Sequence, residues 1–120
     1  MPNIVWALTT IRRDVDPKLR IRRAATVGLF STPDAAEVAL REDWGDLDEA
    51  GYYQFAVIEP VALDCVYPFF SGSYAPEDTP RWWEHGGRDN DQWFPIDGEP
   101  DVIRLERKAL HVAGTWHQIG

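Results

Sequence analysis

Six cationic side chains fall within residues 12–23: Arg12, Arg13, Lys18, Arg20, Arg22 and Arg23. Guanidinium forks match the oxygen geometry of phosphate and carboxylate groups, so such a cluster suits an anionic ligand. Arg20 and Arg22 stand two apart on an extended segment and would share one face. The plainer reading is a solvated hairpin whose arginines pair with the chain's many carboxylates. The second chemistry-bearing group is aromatic. Of six tryptophans, Trp82, Trp83 and Trp93 gather in one short stretch, with Phe69, Phe70 and Tyr74 just upstream. Such rings stack on bases or fill partner pockets. Alternation along a strand sends Trp82 and Trp83 to opposite faces, which predicts one core tryptophan and one exposed. An exposed tryptophan beside Arg20, Arg22 or Arg23 would complete a stacking-plus-phosphate site fit for a nucleotide. The competing reading is cross-strand aromatic packing.

Two further constellations are weaker. Glu84, His85, Asp89 and Asp91 surround a turn, and Asp46, Asp48 and Glu49 form a second acidic group. Hard cations accept such oxygen sets, but neither spacing is specific, and no Cys or His pair stands in zinc register. Turn chemistry and a solvated acidic loop explain both. Cys65 could meet His85, His111 or His117 in space as a nucleophile and base, but a lone cysteine is more often a small buried hydrophobe. Twenty Asp and Glu residues are too many to single out a general acid and base. No catalytic residue, metal site or cofactor motif is assigned.

The elements that position these groups follow from pattern. Residues 3–13 alternate as a strand that is apolar on both faces, hence central. Asp14 to Lys18 is a turn. Residues 20–30 form a second strand, with Ile21, Ala25, Val27 and Leu29 on one face and Arg20, Arg22, Ala24, Thr26 and Phe30 on the other. Ser31 before Asp34, with Pro33 in the first turn, starts a helix that runs to about Trp44 and stops at Gly45. An acidic connection, 46–51, leads to the strongest strand signal, 52–60, which Pro60 ends or marks as an edge. A short extended piece at 61–68 and a loop at 69–80 come next. A hairpin pairs 81–85 with 92–96. Residues 102–110 read as helix or strand, and 112–119 as a last strand. These elements make an α+β fold: a mostly antiparallel sheet of about four to six strands, one main helix packed on a face, and the aromatic hairpin extending the sheet or folding over an edge.

Length and composition bound the rest. The 120 residues are one ordinary domain, 1–120, and 44% hydrophobic content suffices for a core without disulfides. One cysteine fits a reducing compartment. No leader-like or membrane-spanning run is present, so the expected location is cytoplasmic. The net charge is −8. The six cations at 12–23 against Asp14 and Asp16 leave that segment at +4, so the remainder carries −12. An acidic body of this kind disfavours non-specific nucleic-acid binding on charge grounds.

The order of motifs is familiar: Arg22-Arg23, Val27-Gly28-Leu29-Phe30, Ser31 and a short Ala-rich helix, Gly45-Asp46-Leu47, Tyr52 to Val61, Val66-Tyr67-Pro68, Trp82-Trp83, Trp93-Phe94 and a terminal Ile119-Gly120. It resembles a family of short uncharacterised proteins from bacteria and their phages, most closely over 22–68. Leu63-Asp64-Cys65 departs from that pattern, which has a glycine before the apolar-Tyr-Pro element. The resemblance implies a fold and a phage or mobile-element origin; it carries no activity and no site residue. The expected function is a non-enzymatic binding or interaction protein that engages a protein partner or a small anionic, nucleotide-like ligand. A homodimer and no membrane association are also expected. A small hydrolase or transferase is the alternative. The expected ligand residues are Arg20, Arg22, Arg23, Trp82, Trp83 and Trp93.

Overall fold

The computed structural model describes residues 4–15, 17–18, 22–42, 53–62, 78–86 and 92–109, with side chains to 105 in the last stretch. Among them lie β1 (Ile4–Val15), β2 (Arg22–Phe30), α1 (Pro33–Arg41), β3 (Tyr53–Ala62), β4 (Arg81–His85), β5 (Trp93–Ile96) and α2 (Asp101–Ala109). The strands form one five-stranded antiparallel sheet in the order β2-β1-β3-β4-β5, and the fold is α+β. β1 lies between β2 and β3, as its two apolar faces require.

Each face of the sheet carries its own core. On one, Trp6, Leu8, Ala56, Ile58, Trp83 and Trp93 pack with Ala36 and Leu40 of α1. On the other, Ile11, Phe55, Val57 and Trp82 pack with Ile103 of α2, which is fully buried. Residues 101–109 are therefore helix, and the alternation at 103–106 is incidental to a helical face anchored by Ile103. The expectation of one main helix on one face becomes one helix on each. That second layer buries Trp82, while Trp83 is buried on the α1 side.

α1 begins one residue later than its capping pattern suggested. Thr32, not Ser31, is the N-cap, and its hydroxyl accepts from the Ala35 N–H at 3.1 Å. Pro33 opens the first turn, and Asp34 complements the positive end of the helix dipole. The described helix ends at Arg41 with a Glu42 cap, short of Trp44. Arg81 of β4 ties the helix down, reaching Glu37 at 2.7 Å and Asp34 at 3.0 Å. The Glu37 hydrogen bond is the main influence raising the Arg81 guanidinium above its ordinary pKa. Arg41 bonds Glu37 at 3.2 Å and lies 5.5 Å from the Trp83 ring centre.

Pro60 does not end β3, which runs on to Ala62. The β4 ladder stops at Ile58↔Arg81, two residues earlier, so the missing N–H costs no bond on that side.

β2 departs most from simple alternation. Its ladder with β1 steps from Leu8↔Gly28 to Thr9↔Thr26, which makes Val27 an extra residue in a bulge. A bulge reverses which face the following side chains meet. Phe30 packs on the α1 side and Ala24 on the α2 side. Arg23, Ala25, Val27 and Leu29 are all exposed. Of the apolar row read from the sequence, Ala25, Val27 and Leu29 thus face outward and Ile21 lies outside the described residues; the half-buried residues are Arg22, Ala24, Thr26, Gly28 and Phe30. Gly28 lies beneath the Phe30 ring: a Cβ there would stand 2.8 Å from Phe30 Cε2, so a larger residue displaces that ring. Inside the hairpin, Thr9 and Thr26 share a hydroxyl hydrogen bond of 3.0 Å.

The final strand at 112–119, the 46–51 connection, Gly45, residues 63–77 and the hairpin turn at 87–91 lie outside the described residues.

Candidate functional site

The turn after β1 folds the basic segment back on itself. Val15 pairs with Arg22, and the ladder is irregular between Ile11 and Val15. At this end of the hairpin lies a cleft of about 380 Å³, open to solvent and lined by Arg12, Asp14, Val15, Pro17 and Arg23. This volume lies at the small end of the range for ligand pockets, about 300–1,000 Å³. Among the described residues the lining includes two arginines, one aspartate and two apolar residues. Such a surface can hold an anionic group by charge-assisted hydrogen bonds and shelter a small apolar body.

The remaining cations of the segment divide between the cleft mouth and the framework. Lys18 is exposed on the turn. Arg13 points back into the sheet, where it donates long hydrogen bonds of 3.4 Å to the carbonyls of Tyr53 and His85 and ties β1 to β3 and β4. Arg22 lies over the Phe55 ring, 5.7 Å from its centre, on the α2 side. Arg22 and Arg23, adjacent in sequence, therefore serve different surroundings. Arg20 lies outside the described residues.

The tryptophans sit elsewhere. Trp82, Trp83 and Trp93 are 5%, 4% and 8% exposed, and none of them lines the cleft. The expectation that one of Trp82 and Trp83 is exposed is corrected: β4 is an interior strand, and α1 and α2 cover its two faces. Trp93 meets His85 edge-on at 5.0 Å between ring centres. Among the described residues, the structure brings Arg23 into a concave site, keeps Arg22 beneath the sheet surface and places all three tryptophans in the cores.

Asp14, Val15 and Pro17 were not among the expected ligand residues, and Arg12 was expected only as a member of the basic cluster. The signal for them was present, since a turn at Asp14 to Lys18 necessarily returns position 23 toward position 12. Of the metal and nucleophile groupings, Glu84 and His85 alone fall among the described residues. Glu84 is exposed and His85 is buried, and among the described residues no three Asp, Glu, His or Cys side chains gather to hold a metal. Asp46, Asp48, Glu49, Cys65, Asp89, Asp91, His111 and His117 lie outside them. Among the described residues no helix is long and apolar enough to cross a membrane.

No family model, no curated protein and no solved structure matches the chain.

Proposed function

We propose that this protein is a non-enzymatic binding protein that receives a small anionic ligand in the cleft at the end of the β1–β2 hairpin. One observation carries the reading: Arg12 and Arg23, from two adjacent strands, line the same concave surface. The rigid sheet behind them supports it, because Arg13 and Arg22 fasten the hairpin to β3 and β4. The ligand leans on Val15 and Pro17 rather than on a stacked tryptophan. We place the protein in the cytoplasm and, on the resemblance of its motifs, in a phage or mobile element, where sequestering a host metabolite or component is a fitting role.

A thermal-shift titration with inorganic phosphate and mononucleotides tests the reading. A ligand at about 100 times its Kd adds about 2.7 kcal/mol to stability, which raises Tm by several degrees. Arg23→Ala is expected to abolish the shift. A melting curve that no anion moves rules the cleft out as a binding site.

A protein partner is the second reading, favoured by the outward exposure of Val27 and Leu29 on β2, at 44% and 55%. It predicts that Leu29→Lys leaves anion binding intact while abolishing association with a partner or with a second copy of the chain.

A further inference from the structure

We draw no further inference here: the strongest candidate, the surface patch on α2 where the apolar side chains of Val102 and Leu105 stand exposed about one turn apart, carries nothing because nothing in the structure shows what covers it.

Discussion

Neighbouring residues of one type hold unlike positions in this protein, and substitutions should separate them. Arg22 lies over Phe55, while Arg23 lines the cleft. Arg22→Ala is expected to cost about 1 kcal/mol of stability, the size of a partly desolvated cation–π contact, and to leave anion binding in place. Arg23→Ala should do the opposite. Urea unfolding read beside a phosphate titration distinguishes the two. Trp82 and Trp83 make the converse case, because they face opposite ways and are both core. Each Trp→Ala substitution is expected to cost about 3–5 kcal/mol in chemical denaturation. If either costs less than about 1 kcal/mol, that tryptophan is not the buried side chain described. At this scale the sequence told which residue types could bind an anion but not which of them face solvent. The side that Arg22 and Arg23 take depends on a bulge and on a helix more than seventy positions away, and alternation carries neither.

Elements were more legible than sites, because their signals are local. The alternating runs at β1, β3, β4 and β5 and the Pro33-Asp34 start of α1 each appear within a few residues of sequence. The misses have separate causes. An extra residue at Val27 shifts the period of β2 by one, and period is what pattern reading measures. Ser31 and Thr32 are both competent caps by type, and only the backbone decides between them: Thr32 has the extended conformation and the bonded hydroxyl. Thr32→Ala is therefore expected to lower stability by about 1 kcal/mol, with Ser31→Ala nearly neutral, in thermal or urea melts. Equal effects would return the cap to Ser31. Pro60 misled for another reason, since whether a strand can hold a proline depends on where the neighbouring ladder stops.

Over the whole molecule, charge is unevenly shared. A basic hairpin end projects from a chain whose remainder is strongly acidic. That distribution is expected to exclude long polyanions while admitting small ones, because a long polymer must also pass over the acidic body. In an electrophoretic shift at physiological salt, duplex DNA should remain unbound at protein concentrations that saturate with a small phosphate ester. Retention of DNA would mean that the basic end acts alone. The position of β1 matters in one more way. It is made first, yet it lies inside the sheet, with β2 on one edge and β3 on the other. β2 follows directly and forms its hairpin from local sequence. The opposite edge must wait for Tyr53–Ala62. At about 5–20 residues per second, ribosomal synthesis leaves that edge open for some seconds, with Trp6, Leu8 and Ile11 still uncovered. The nascent chain thus passes through a stage at which a central, largely apolar strand is half-paired, and a chaperone or a second nascent chain competes with β3 for the place.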